Sequence, residues 1–295
     1  MPAGKTTIPP HFSVIIPIYN DWEALAGCLQ ALHEQREAPA FEVVVVDDGC
    51  QQEAPESIRG RSQDFTFTIV RQEHMGIGAA RNSGIQNSQG VIVVFTDADC
   101  RPQSDCLANL ARTIAENNEK KCFQLRLVGD SSTLVGGAED LRLKALQQHL
   151  LQPDGYIVYL NTSGFAIQRT AIDPGANLFD PTVQRSEDSL LLANLIKRGE
   201  LPFFVPTAVV QHTVRLSLVQ CLRKDSRVAW FEAEAFKRIN ATGVQIRRTN
   251  WERFGMVQSM WRASTRDSIG RMAWFVALVR QILQRAVSVI YNFTH

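Results

Sequence analysis

The sequence predicts an α/β sandwich with a mostly parallel central sheet, followed by a helical C-terminal extension. Short runs of β-branched residues alternate with segments in which apolar residues recur every three or four positions. Strands that are apolar on both faces are typical of parallel sheets covered by helices on both sides. A chain of 295 residues is long enough for one large domain or two small ones, and no tandem repeat interrupts the pattern.

The first 100 residues are expected to form four strands and two helices. Continuous apolar runs predict the strands, which cover residues 12–20 (with a turn at Pro17), 41–49, 65–70 and 91–99. Helical spacing predicts a first helix over 21–35 and a second over 76–90, which has a glycine at each end.

After about residue 120 the pattern becomes less regular. Residues 156–167 predict a strand, a turn and a second strand, and residues 203–212 predict a strand pair broken at Pro206. Between them, a helix is expected to begin after Ser186 as its N-cap and to stop at Gly199. From Ser217 onward the chain is expected to be helical.

Charge is unevenly distributed along the chain, although the formal net charge is only +1. Residues 1–214 carry 17 basic and 25 acidic side chains, whereas residues 215–295 carry 14 and 5. This asymmetry is typical of a basic region that meets an anionic surface. Nucleic acid is not expected as a partner, and the sequence does not indicate an oligomeric state.

Six scattered cysteines and the composition of the N-terminus suggest a cytoplasmic protein. None of the cysteines forms a C-x-x-C pair, so reduced thiols are expected. The first residues contain no apolar stretch of the kind found in a signal peptide.

Three of the predicted strands end in polar residues. These ends are P-I-Y-N at residues 17–20, D-D-G at residues 47–49 and D-A-D at residues 97–99. A single aspartate after a strand often only caps the next helix, but the carboxyl ends of parallel strands share one edge of the sheet, where ligands bind. Three such ends together predict a binding site.

The closely spaced carboxylates of Asp97 and Asp99 suit a hard cation. Mg²⁺ takes one or two carboxylates, keeps several waters and completes its shell with substrate phosphate. Alternatively, Asp97 and Asp99 are two helix-capping residues that precede Pro102.

Two further segments contain candidate site residues. "HMGIGAARNSG" is not a dinucleotide-binding fingerprint, because Arg81 replaces the third glycine. Arg81 lies one turn into a helix, where it is able to contact phosphate or to pair with a surface acid. Glu187 and Asp188 begin another helix, which favours either simple complementarity to the helix dipole or a site role beside the "NTSGFAIQR" loop.

Taken together, these segments resemble glycosyltransferase family 2, whose members are inverting enzymes with the GT-A fold. The resemblance covers residues 12–212 and depends on the order of seven motifs: P-x-Y-N, V-V-D-D-G, G-x-x-x-A-R-N, D-A-D, T-S-G-F-A-I, S-E-D and V-x-H. It implies a loose tail over 1–11 and a catalytic domain over 12–214. Within that domain, 12–118 would bind the nucleotide-sugar and 119–214 the acceptor, with a basic helical region over 215–295.

The resemblance also implies individual roles. The nucleotide-sugar would lie against Pro17, Tyr19, Asn20, Asp47, Asp48, Arg81 and Asp97, with Asp48 beside the base (uracil is expected) and Arg81 near the phosphates. Asp97 and Asp99 would be the D-x-D pair that binds Mg²⁺ or Mn²⁺, with His212 as a further metal ligand or, alternatively, a core histidine. Asp188 would be the general base with Glu187 beside it, and Thr162, Ser163 and Gly164 would line the acceptor side.

The implied reaction is metal-dependent transfer of one sugar from a nucleoside-diphosphate sugar to an acceptor hydroxyl. Polysaccharide, cell-envelope or glycolipid synthesis would use such a step. The Q-x-x-R-W motif of processive synthases is missing, which favours transfer of a single sugar, and Cys50 stands where the family usually has serine. Two alternatives remain open at this point: a sugar-1-phosphate nucleotidyltransferase and a non-catalytic nucleotide- or carbohydrate-binding module.

Residues 272–293 predict an amphipathic helix. At about 100° per residue, one side collects the polar side chains Arg280, Gln281, Gln284, Arg285, Ser288 and Asn292, and the other side is apolar. Upstream lie six arginines: Arg247, Arg248, Arg253, Arg262, Arg266 and Arg271. A cationic segment next to a broad apolar face predicts peripheral attachment to the cytoplasmic face of a membrane. Packing of this helix on its own domain or on a second subunit is the alternative.

Overall fold

The computed structural model describes residues 10–60, 64–244, 246, 250–264 and 268–294. The strands are β1 Phe12–Ile18, β2 Phe41–Asp48, β3 Thr66–Gln72, β4 Ile92–Phe95, β5 Cys100–Pro102, β6 Cys122–Gly129, β7 Phe165–Gln168 and β8 Phe203–His212. The helices are α1 Trp22–His33, α2 Glu56–Arg59, α3 Ile77–Gln86, α4 Cys106–Glu116, α5 Leu134–Leu150, α6 Glu187–Lys197, α7 Leu218–Ala241, α8 Asn250–Ser264 and α9 Ser268–Thr294. Of the predicted tail, residues 1–9 lie outside the described chain.

One mixed sheet joins all eight described strands in the order β3-β2-β1-β4-β7-β6-β8-β5. The four strands β1 to β4 run parallel, as do β6 and β8, whereas β7 and β5 are antiparallel to their neighbours. Ile18 pairs with Asp47 and Ile15 pairs with Phe95, so β1, β2 and β4 end at the same edge. The predicted α/β sandwich is therefore confirmed.

Both faces of the sheet are buried, which explains why the central strands are apolar at every position. Val14 and Ile16 point into a core shared with α1, and between them Ile15 points to the opposite face, toward Phe165 and Leu191. A strand buried on both sides has no place for a polar residue until it leaves the sheet. The polar groups are consequently concentrated at the strand ends.

Two proline-based predictions were wrong. Strand β1 continues through Pro17 to Ile18, because the side of Pro17 that lacks an N–H lies beyond the end of β4 at Phe95. Strand β8 is one strand and not a pair, since a register shift between Leu125 and Arg126 leaves Pro206 opposite no β6 residue.

The predicted strand-turn-strand over 156–167 is only partly present. Its first part forms two isolated bridges, and its turn is a 3₁₀ turn over Thr162–Gly164 that leads into β7. The helix after Ser186 is present as α6, but the Ser186 side chain makes no capping hydrogen bond. Ser186 has left-handed backbone angles (φ 61°). The helix ends at Lys197, two residues before Gly199, whose φ is 71°.

The C-terminal helices pack on the remainder of the fold. On α9, Ala273, Val276 and Ala277 are buried against α5 and α8, while Arg280 reaches α5 and α7. The opposite side of α9 carries exposed apolar side chains. By length and composition, Gly270–Tyr291 would also be able to cross a membrane. Of the predicted arginine cluster, Arg247, Arg248, Arg266 and the side chain of Arg253 lie outside the described residues.

Candidate active site

Asp48 organises the loop between β3 and α3. Its two carboxylate oxygens accept hydrogen bonds from Gln72 Nε2 (2.8 Å) and from the backbone N–H groups of Met75 and Gly76 (both 2.9 Å), and His74 Nδ1 lies 2.9 Å away. Gly76 adopts a φ of 92°, a conformation that favours glycine. Because these partners occupy Asp48, the geometry supports loop positioning more directly than contact with a base.

A flat aromatic surface lies beside this loop. The ring of Tyr19 stacks on that of His74, with centroids 4.2 Å apart, and Tyr19 is 50% exposed. An exposed aromatic ring fixed by a neighbour is able to stack against a nucleobase.

The other residues predicted at this edge support the loops. Pro17 is buried within β1. Asn20 accepts a hydrogen bond from the Gln51 N–H (2.8 Å), and Asp47 accepts one from the Cys50 N–H (2.7 Å). The Cys50 sulfur in turn lies 3.1 Å from the Asn20 backbone nitrogen, so that the cysteine joins the two loops where the family usually has serine.

Arg81 is enclosed in the interior, where its guanidinium bridges two acids. It is 1% exposed, and it donates hydrogen bonds to Glu187 of α6 and to Asp97 after β4 (2.9 Å to the latter). Although burial opposes its charge, the two carboxylates outweigh this effect and raise the pKa of Arg81. Arg81 therefore pairs with two acids, while its buried Nε makes no hydrogen bond among the described residues, and the expected phosphate contact stays a prediction.

Each carboxylate oxygen of Asp97 accepts a hydrogen bond, one from Arg81 and the other from Ser163. Its second oxygen accepts a hydrogen bond of 2.6 Å from the Ser163 hydroxyl, and the Ser163 carbonyl accepts one from Thr96. Thr162 and Ser163 are buried, and a Cβ at Gly164 would lie 2.7 Å from Leu127. The T-S-G turn thus packs against the D-x-D segment, and Ser163 also lines the cavity described below.

Asp99 and His212 form a pair at the junction of β5 and β8. His212 Nε2 lies 3.2 Å from an Asp99 oxygen, and both side chains are partly exposed. Burial opposes the charge on each, but their contact outweighs it, which lowers the pKa of Asp99 and raises that of His212.

These donors fit a divalent cation that shares its shell with substrate. Among the described residues no group of three or more His, Cys, Asp and Glu side chains is preassembled for a metal. Asp97 is engaged by Arg81 and Ser163, so that Asp99 offers the freer carboxylate, with His212 beside it. Mg²⁺ and Mn²⁺ accept such sparse protein ligation when phosphate and water supply the rest.

Asp188 has the properties of a base that works near neutral pH. It lies in the first turn of α6, where its carboxylate accepts a hydrogen bond of 2.7 Å from the Ser189 N–H. Burial, and then the adjacent carboxylate of Glu187, raise the pKa of Asp188 to about 7. The two neighbouring acids are therefore unlike: Glu187 is paired with Arg81, and Asp188 holds its proton unusually tightly.

A cavity of about 860 Å³ connects the site to the C-terminal helices. The cavity is lined on one side by Asn161, Ser163, Ser189 and His212, and α5, α7 and α9 supply the facing wall. The charged residues of that wall include four that the motifs did not indicate: Glu139, Arg142, Asp225 and Arg280. Arg280 binds both Asp225 (2.6 Å) and Glu139 (3.0 Å). The sequence indicated this network only through the position of Arg280 on the polar side of the predicted amphipathic helix.

Comparison with known proteins agrees with the motifs. The family model "Glycosyl transferase family 2" matches residues 13–173. The glycosyltransferase AglE of Haloferax volcanii is 38% identical over 113 residues, which cover 37% of each chain. The putative glycosyltransferase EpsH of Bacillus subtilis is 28% identical over 111 residues, 37% of this chain and 32% of its own. The match thus spans about a third of the length of these curated relatives.

Solved structures extend the likeness to almost the whole chain. The mannosyltransferase PcManGT of Pyrobaculum calidifontis, in complex with GDP-Man and Mn²⁺, superposes with a TM-score of 0.65 at 21% identity, over 98% of this chain and 88% of its own. TarS residues 1–349 of S. aureus, in complex with UDP-GlcNAc, give 0.56 at 18% identity, over 96% and 92%. At these identities the likeness concerns the fold. Since the family model covers more than half of the 295 residues, and the mixed sheet has the arrangement of these neighbours, the chain belongs to glycosyltransferase family 2 and has the GT-A fold.

Proposed function

We propose that this glycosyltransferase moves one sugar from a nucleoside-diphosphate sugar to an acceptor hydroxyl, with inversion at the anomeric carbon. The observation that carries the proposal is the Asp188 carboxyl, whose pKa is raised to about 7 in the helix turn that lines the same cavity as His212. A base of this kind is partly ionised at neutral pH and still basic enough to accept a proton.

Asp188 takes the proton of the acceptor hydroxyl as the oxygen attacks the anomeric carbon. The nucleoside diphosphate leaves from the opposite side of the sugar, and this geometry inverts the configuration. Tyr19 and His74 offer the stacking surface for the base, and uracil is the first base to test. Asp99 and His212, with Asp97 behind them, would hold Mg²⁺ or Mn²⁺, which supplies charge stabilisation for the departing diphosphate.

The donor assignment draws on the fold neighbours. PcManGT was solved with GDP-Man and Mn²⁺, and TarS with UDP-GlcNAc. We propose the same class of donor for this chain, with a division of labour in which 12–118 binds the donor, 119–214 carries the base and 215–295 covers the acceptor cavity. A single-sugar step in polysaccharide, cell-envelope or glycolipid synthesis fits this arrangement.

A panel of UDP- and GDP-sugars, incubated with the purified chain and Mn²⁺ or Mg²⁺, tests this function. Release of UDP or GDP, measured with and without candidate acceptors, should single out one donor and should require the metal. Release of pyrophosphate from sugar-1-phosphate and nucleoside triphosphate would instead identify a nucleotidyltransferase. Absence of turnover and of binding with every donor would contradict the proposal.

We further propose that α9 attaches the enzyme peripherally to the cytoplasmic face of an anionic membrane. Three exposed apolar residues, Phe275, Ile282 and Val289, are spaced seven apart and therefore form one line along the helix, in which Ile282 also borders the cavity. They are 60%, 60% and 36% exposed. The inner side of the same helix lines the cavity with Arg280, Gln281 and Gln284. An acceptor delivered by the membrane would thus meet the cavity beside its point of attachment.

Sedimentation with vesicles of phosphatidylglycerol and phosphatidylcholine tests the attachment. The wild type should sediment at low salt, and Phe275→Glu combined with Ile282→Glu should remain in the supernatant. Val91→Glu is the matched control, since Val91 is 49% exposed and lies outside the C-terminal region. If wild type and the double variant behave alike, α9 serves only the interior of the protein or a subunit interface.

A further inference from the structure

Arg81, which the resemblance places near the phosphates, pairs with two protein acids. Arg81 is buried, and its two terminal nitrogens pair with Asp97 and Glu187, whereas its Nε has no hydrogen-bond partner among the described residues. Two carboxylates already face this single positive charge, so it leaves no excess positive charge for a diphosphate. A nucleoside diphosphate carries two to three negative charges, and a departing diphosphate needs stabilisation where its charge develops. Another cation would therefore have to face the diphosphate from the cavity.

Five basic side chains line the described part of the cavity: Arg142, Lys224, Lys237, Arg280 and Arg285. Arg142 and Arg280 are bound to acids, and Lys237 lies over the ring of Tyr291 (5.2 Å to the centroid). The remaining two, Lys224 of α7 and Arg285 of α9, are exposed. In the part of the chain that the structure describes, neither makes an ion pair.

Lys224 is the one of these two that lies near the metal-side residues. It lies in the second turn of α7, which begins at Leu218, six residues after β8 ends at His212, and both Lys224 and His212 line the cavity. In agreement with this position, its charge contributes to the lowered pKa of Asp99. It belongs to the face of α7 that lines the cavity, together with Cys221, Asp225 and Val228 at helical spacing. Glu232 lies eight residues further along α7, a rise of about 12 Å. Its negative charge contributes to the raised pKa of Asp188. Helix α7 thus runs along the site from the metal side to the base.

We infer that Lys224 is a binding residue for the diphosphate of the donor, supplied to the site by the C-terminal helical region. This inference rests on the proposed function. It gives the basic region a role in the reaction itself, and it assigns to Lys224 the contact with the phosphates that was expected of Arg81. A flexible ammonium group on an exposed stem is able to follow the diphosphate as it departs.

Calorimetric titration with nucleotides, each in the presence of Mn²⁺, tests the inference on the full chain. UDP and GDP are compared with UMP and GMP, which share the base and ribose but lack the second phosphate. Lys224→Ala should weaken binding of the diphosphate that the wild type prefers by about tenfold or more, since a charge-assisted contact is lost. Binding of the corresponding monophosphate should change much less, and Lys224→Arg should retain most of the affinity.

Arg223→Ala is the matched control, because Arg223 is an exposed cation on the same helix that does not line the cavity. It should bind both nucleotides like the wild type. Unchanged diphosphate affinity in Lys224→Ala would overturn the inference, and so would an equal loss for diphosphate and monophosphate, which would indicate a structural role. A wild type that binds none of the nucleotides would instead refute the proposed function, and the inference with it.

Discussion

Replacement of Asp188 by asparagine separates catalysis from stability more clearly than any other change to this site. Asparagine keeps the shape of the side chain and its ability to accept the Ser189 N–H bond, but it cannot take a proton. Loss of a general base should lower turnover by about 10²- to 10⁴-fold. Donor affinity should persist, because the base acts on the acceptor.

The same substitution should stabilise the fold at alkaline pH. The pKa of Asp188 rises from 3.8 to about 7 on folding, a difference that corresponds to about 4 kcal/mol at full weight. The folded state therefore binds the proton more tightly, and wild-type stability falls as pH rises from about 4 to about 7. Because Asp188 is partly exposed, we expect asparagine to recover only about 1–3 kcal/mol above pH 7 and almost nothing at pH 4.

Thermal melting at pH 4.5 and pH 8, calorimetric titration with donor, and the pH dependence of kcat/KM together test this reasoning. The wild-type rate should rise with pH to a plateau above about 7. Glu187→Gln is the matched control: it removes the partner of a buried arginine and should destabilise the protein by about 3–5 kcal/mol. If Asp188→Asn melts lower than the wild type at pH 8, or loses donor affinity in proportion to its rate, Asp188 is a structural residue and not the base.

Two other substitutions test the metal side and the interior of the site. Asp99→Asn should lose turnover by a large factor while its melting temperature stays close to that of the wild type, because Asp99 is partly exposed and its contact is His212; near-normal turnover at saturating Mn²⁺ would contradict the metal assignment. Arg81→Gln should destabilise the protein by about 3–5 kcal/mol, since it leaves the Asp97 and Glu187 carboxylates without their cation; denaturant unfolding measures this, and a loss of less than about 1 kcal/mol would mean that the ion cluster contributes little.

Much of the sheet and the location of the site could be predicted because both follow from local patterns. Apolar runs such as Val43–Val46 have few alternatives to a buried strand, and the polar residues after them must leave the sheet at its carboxyl edge. The partners of those residues were less accessible. Arg81 and Glu187 are separated by 106 positions, and no local pattern indicates that a buried arginine will meet one acid rather than another or a phosphate.

The C-terminal helix illustrates the same limit on a larger scale. Its amphipathic period could be predicted from the sequence, and the apolar side was expected to meet a membrane surface or, alternatively, its own domain or a second subunit. The structure buries Val276 against the core and leaves Phe275 and Ile282 exposed, so the use of the exposed residues stays a proposal. The polar side was the less expected part, since Arg280 serves as the centre of an ionic network and not as a solvated residue. A single helix projection cannot distinguish a polar face that meets water from one that meets a cavity.

The ion cluster around Arg81 connects the two chemical roles of the site. One guanidinium faces two carboxylates, so the cluster of Arg81, Asp97 and Glu187 keeps an excess of one negative charge. On the β4 side, that excess favours a cation next to Asp97 and Asp99. On the α6 side, the Glu187 carboxylate raises the pKa of Asp188 more than Arg81 lowers it. A second cation within the cluster would neutralise both acids. It would also weaken the binding of a metal ion next to Asp97 and Asp99, and it would lower the pKa of Asp188 so far that the carboxylate could not act as a base at neutral pH. In the proposed mechanism, this incomplete neutralisation would allow one buried arginine to support both the metal side and the base.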